Sequence, residues 1–140
     1  MKKFYFCSLI FIFSVLAFTA CGSTKPDYEK DVVAVLSFTD EIKATDIEDT
    51  KAYGQAIEAS LSKLDMQTKE GKKLKKDFAK MGEIMTSMSD AMDNNEFDEV
   101  ENQSEELDKL KVKIQKDSEK LGKAAEKTGV SKQILEVIGQ

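Results

Sequence analysis

From Asp27 onward the chain contains no proline, and its apolar residues return at three- and four-residue intervals. A strand sends successive side chains to opposite faces, whereas this spacing gathers them into one stripe along a helix. No segment carries a competing alternation of comparable length. The expected fold is therefore all-α: an antiparallel helical hairpin or bundle of three to four helices, elongated if its longest apolar segment runs unbroken.

The stripes divide the chain. A first helix is expected over roughly 27–44, with Tyr28, Val32, Val35, Leu36 and Ile42 on one side. Thr45-Asp46-Ile47-Glu48 has the form of a capping box and marks the next start. The following stripe runs through Ile57, Leu61, Leu64, Gly71, Leu74, Phe78, Met81, Met85, Met88 and Met92. After Asp93-Asn94-Asn95, a turn-and-cap cluster, comes a stripe of Phe97, Val100, Leu107, Leu110, Ile114, Leu121 and Ala125. It ends at Thr128-Gly129, where glycine can take the left-handed position that closes a helix. Ser131 can cap a short tail containing Ile134, Leu135, Val137 and Ile138.

One boundary is contested by two physical arguments. Gly71 costs about 1 kcal/mol against alanine inside a helix and so hints at a break over 66–72. Positions 57, 64, 71, 78, 85 and 92 nevertheless keep one seven-residue register, and the lysines between 69 and 80 would sit badly at a new helix's positive end. The balance favours a continuous or merely kinked helix from 46 to 92.

Charge narrows the function. The 140 residues carry a net charge of −5, and all 21 basic residues are lysine. An acidic surface argues against nucleic acid. Histidine and arginine are absent, which removes the commonest general base and metal ligand together with the bidentate clamp of phosphate sites. Ser37, Ser60, Ser87 and Ser104 lie on expected helices without a histidine partner, so no nucleophilic constellation emerges and an enzyme is not expected.

The start of the chain has its own pattern. Met1-Lys2-Lys3 precedes an apolar run from Phe4 to Phe18, and Thr19-Ala20-Cys21 closes it. A basic start, an apolar stretch and small residues form an export leader. A cut after Ala20 by the ordinary signal peptidase would place bulky Phe18 at −3, a poor fit. The ending Phe18-Thr19-Ala20-Cys21 instead resembles the lipobox of bacterial lipoproteins, with Phe18 standing where leucine is usual. The resemblance implies removal of residues 1–20 as a signal peptide and acylation of Cys21. It implies a membrane-anchored protein facing outside the cytoplasm, and the outer membrane in a Gram-negative cell, since Gly22 and not aspartate follows the cysteine. Two or three acyl chains anchor stably. Residues 21–26 would form a short tether and 27–140 the helical domain. Without Lys2 and Lys3 the remaining chain holds 19 lysines against 26 acids, or −7.

Three clusters are candidates for chemistry. Met81, Met85, Met88 and Met92 form a stripe whose thioethers suit an irregular core, an adaptable partner face or a soft-metal site. Their register with Ile57, Leu64 and Phe78 favours the core. The acidic stretch from Asp90 to Glu106 lacks the glycine and ligand spacing of an EF-hand loop, so its first reading is a solvated helix start, with weak Ca²⁺ binding or a docking face for a basic partner as the alternatives. Lys69, Lys72, Lys73, Lys75, Lys76 and Lys80 would lie toward the opposite end of a hairpin turning at 93–95, giving the domain a charge polarity. The sequence thus leads to a non-enzymatic, membrane-anchored interaction module for another envelope or extracellular protein. No cofactor is expected. A wall-associated spacer and a ligand or metal carrier using the methionines are the alternatives.

Overall fold

The computed structural model describes residues 23–45 and 49–130. These form four helices, α1 (Lys25–Lys43), α2 (Thr50–Leu61), α3 (Lys69–Asp93) and α4 (Phe97–Lys127), and no strand occurs among them. The fold is an all-α bundle. The tail expected after Ser131 and the leader through Cys21 lie outside the described residues.

Helices α3 and α4 form an antiparallel pair over nearly their whole length. Contacts pair Lys73 with Asp117, Lys80 with Glu106 and Ser87 with Gln103. The two shorter helices flank successive halves of α3. At the N-terminal half, Tyr28 of α1 donates its hydroxyl to Glu70, and Phe38 meets Phe78 with ring centroids 4.5 Å apart. Along the C-terminal half α2 runs antiparallel, tied by Lys51 to Asp90. Gly54 and Gly82 let these two backbones approach. A Cβ on Gly54 would stand 2.6 Å from Thr86 Oγ1 and 3.2 Å from the Gly82 carbonyl. The bundle therefore has a base, where α1 and α3 begin and α4 ends, and an apex at the α3–α4 turn.

The helix starts follow local chemistry. Helix α1 opens earlier than the expected tether boundary, because Pro26 fits a first turn and Asp27 Oδ2 accepts from both the Thr24 backbone N–H and its hydroxyl. Helix α2 is capped by Asp49, whose Oδ1 accepts from the Ala52 N–H, and not by Thr45 as expected. Two helix ends close alike. Asn95 takes φ 59° after α3 and Gly129 takes φ 89° after α4. Glu96 and Val130 then return their N–H groups to Ala91 O and Ala125 O. Buried Val130 adds an apolar contact that Glu96 cannot supply.

The expected long helix over 46–92 does not form: α2 ends at Leu61 and α3 begins at Lys69. The cause is a carboxylate from another helix. Asp31 of α1 is wholly buried and accepts from the Gln67 N–H (2.7 Å), the Thr68 N–H (2.8 Å) and the Thr68 hydroxyl. Thr68 Oγ1 in turn caps α3 by accepting from the Gly71 N–H. Between the helices Leu64, Met66 and Thr68 are buried while Asp65 is exposed, so this short linker alternates like a strand and keeps Leu64 in the core. Lysine is tolerated in the first turns of α3 because Glu70 offsets the positive end and Lys75 reaches back to the Leu64 carbonyl.

Gly71 is required by this arrangement, since a Cβ there would overlap Asp31 Oδ2. Gly71→Ala should therefore destabilise the protein, by about 1–3 kcal/mol, although helix propensity alone predicts a gain of about 1 kcal/mol. Chemical denaturation of the single variant and of Asp31→Ala/Gly71→Ala, where the overlap is gone, measures the coupling.

Candidate functional site

Among the described residues only three large apolar side chains are strongly exposed: Met92 (53 %), Phe97 (71 %) and Val112. Two of them flank the apical turn. Phe97 was expected in the inward stripe of α4, and the structure places it in solvent. The reason is that the left-handed Asn95 turns the chain before α4 begins, and Phe97 is its first residue. Between the last turns of α3 and the first turns of α4 lies an open cleft of ≈ 800 Å³, lined by Ser87, Asp90, Asn94, Phe97, Glu99 and Gln103 among others.

Gln103 holds the floor of this cleft. It occupies the helical slot between Val100 and Leu107, where an apolar residue would continue the stripe, and is only 9 % exposed. Its Nε2 donates to Ser87 Oγ (2.7 Å) and Glu99 Oε1 (2.9 Å), while its Oε1 is buried without a hydrogen-bond partner. Sequence reasoning did not single out Gln103, although a polar residue in an apolar register was the available signal.

The methionine stripe divides between core and surface. Met85 is buried, Met81 and Met88 are partly buried against the core, and Met92 reaches solvent. Phe78 and Ile84 share the core with Met85, so most of the stripe is spent on packing.

A second polar cluster lies in the basal half of the α3–α4 seam, where Asp77 and Asp117 are both nearly fully buried. Lys113 pairs with Asp77 Oδ1. Lys120 Nζ lies 2.8 Å from Asp117 Oδ1, and Lys73 Nζ lies 3.2 Å from its Oδ2. The hydrogen bond from Lys120 outweighs the opposing effect of burial, and with Lys73 it holds the Asp117 carboxyl at about 2, below its ordinary 3.8. Two acids neutralised by three lysines across the seam suit an ionic lock between helices. Among the described residues no group of three or more metal-ligating side chains is placed to hold an ion. No described helix is long and apolar enough to cross a membrane. Comparison with family models, curated proteins and solved structures finds no match.

Two outcomes follow from this placement. Met85→Ala should cost about 2–5 kcal/mol through lost transfer energy and a residual cavity, whereas Met92→Ala should stay within about 0.5 kcal/mol; denaturant midpoints separate them. Asp117 supplies stability above the ordinary carboxylate range that is lost as pH falls from about 4 through 2, worth on the order of 2 kcal/mol. In acid titrations followed by circular dichroism, Asp117→Asn should begin less stable at pH 6 and lose less than wild type over that window.

Proposed function

We propose that this chain is a lipid-anchored lipoprotein of the cell envelope whose helical bundle is a non-enzymatic module for binding another protein. The observation that carries the reading is the opposition of two ends. Thr24, three residues after Cys21, stands at the base as the cap of α1, while exposed Met92, Phe97 and the cleft stand at the apex. Helix α3 spans 25 residues, so about 37 Å of bundle separates the two. With acyl chains on Cys21, the base would lie against the bilayer and the apex would project from it. Exposed apolar side chains ringed by polar groups are how a soluble surface marks a contact site. The lysines at the start of α3 and the end of α4 suit a base near anionic headgroups.

The test has two arms. Cys21→Ala should abolish acyl incorporation, read by mass spectrometry of the mature N-terminus, and release the protein from membrane fractions. A photoreactive residue at position 97 of the acylated chain should yield a discrete protein adduct in cells, whereas one at position 123 should not. An unacylated N-terminus would end the anchored reading, and equal or absent adducts at both positions would end the interaction reading.

A further inference from the structure

We propose that the apical cleft takes a cationic segment of its partner protein, with one apolar side chain set against the exposed Met92 and Phe97 and a lysine or arginine N–H donated to Gln103 Oε1 once that buried amide turns into the cleft. The inference rests on the reading of the chain as an interaction module and supplies the chemistry of its partner.

Charge is the first argument. From Met81 to Asp108 the chain carries ten acidic residues and no lysine. Lys51 and Lys80 reach this region from its borders and pair with Asp90 and Glu106. The acids nearest the turn, Asp93, Glu96, Asp98 and Glu99, are exposed and form no ion pair among the described residues. Such a field attracts cationic partners and repels anionic ones. Gln103 is an independent argument. It is more than nine-tenths buried, it lines the cleft, and its amide oxygen has no donor. A buried acceptor without a partner is destabilising until a donor arrives. Lysine and arginine are donors without acceptor capacity, so they suit both the field and the oxygen. The third argument is apolar. Met92 and Phe97 border the same turn, and methionine adapts its shape to an incoming side chain. The absence of a three-carboxylate cluster among the described residues favours this occupant over a metal ion.

The experiment uses the acylated full chain in zwitterionic nanodiscs and a short fluorescent peptide of lysines around one central phenylalanine. Fluorescence anisotropy should show saturable binding that weakens with salt. Binding should be absent for the counterpart with glutamates in place of lysines, and weaker by about tenfold when serine replaces the peptide's phenylalanine. Phe97→Ser and Gln103→Leu should each weaken binding by a similar factor, and Glu119→Gln, exposed on the basal half of α4, should leave it unchanged. Met92→Ser, at an exposed position, keeps the test open should Gln103→Leu unfold the helix pair. Binding indifferent to Phe97→Ser, Met92→Ser and Gln103→Leu would reduce the effect to diffuse charge and overturn the proposal. Concentration-dependent mass without peptide, lost on Phe97→Ser, would make a second copy's lysine-rich base the occupant and overturn it as well. An acylated chain that ignores the peptide sinks the cleft alone. A chain that binds the peptide but lacks acylation sinks the anchored reading alone.

Discussion

Asp31 is the point on which the architecture turns. A fully buried carboxylate is costly unless its oxygens are satisfied, and here the donors come from Gln67 and Thr68, in the linker beyond α2. That arrangement settles three matters together. It ends the passage from α2 to α3 as an extended linker, it positions Thr68 to cap α3, and it seats α1 against the first turn of α3 so closely that residue 71 has no room for a Cβ. The hydrophobic core then fills in around a geometry already specified. Val32 and Val35 follow Asp31 on the same face of α1, and Leu74 and Phe78 follow Gly71 on α3.

The long helix pair is held differently. Leu107, Leu110 and Leu121 of α4 are buried with Met85 and Phe78 of α3, while Asp77 and Asp117 interrupt the apolar seam in its basal half. A one-sided stripe of leucines could slip by a turn at modest cost. Two acids that each need lysines from the facing helix cannot, so the lock fixes register even where it adds little net stability. The lysines it draws in come from the basal half of the pair. At the apical turn Asp93, Glu96, Asp98 and Glu99 are left without an ion pair among the described residues.

How much of this was legible in the sequence depended on the range of the interaction. Helical class, the turn at 93–95 and the glycine stop at 129 rest on neighbours a few residues apart, and each could be read directly. The register argument for a continuous helix from 46 to 92 failed instructively. Positions 57, 64, 71, 78 and 85 are indeed all buried. Burial persists across the break because the linker alternates and Gly71 makes room for Asp31, an acid 40 residues away that no local pattern connects to it. Phe97 was misplaced because an apolar residue at the head of a stripe reads as core, whereas it precedes the point where α4 begins to pack. Gln103, Asp77 and Asp117 stood in apolar registers as polar exceptions. Such exceptions carry the information that periodicity averages away.

The stagger of α1 and α2 along α3 has a mechanical consequence. A pull between Thr24 at the base and the apical turn would draw α1 downward and α3 upward, since both run from the base toward the apex. The Asp31 contacts to Gln67 and Thr68 lie across that line of sliding. They would be loaded together, in shear, where bonds must break in concert and not one after another. The clasp that terminates a helix is also the latch that keeps the bundle from telescoping under tension.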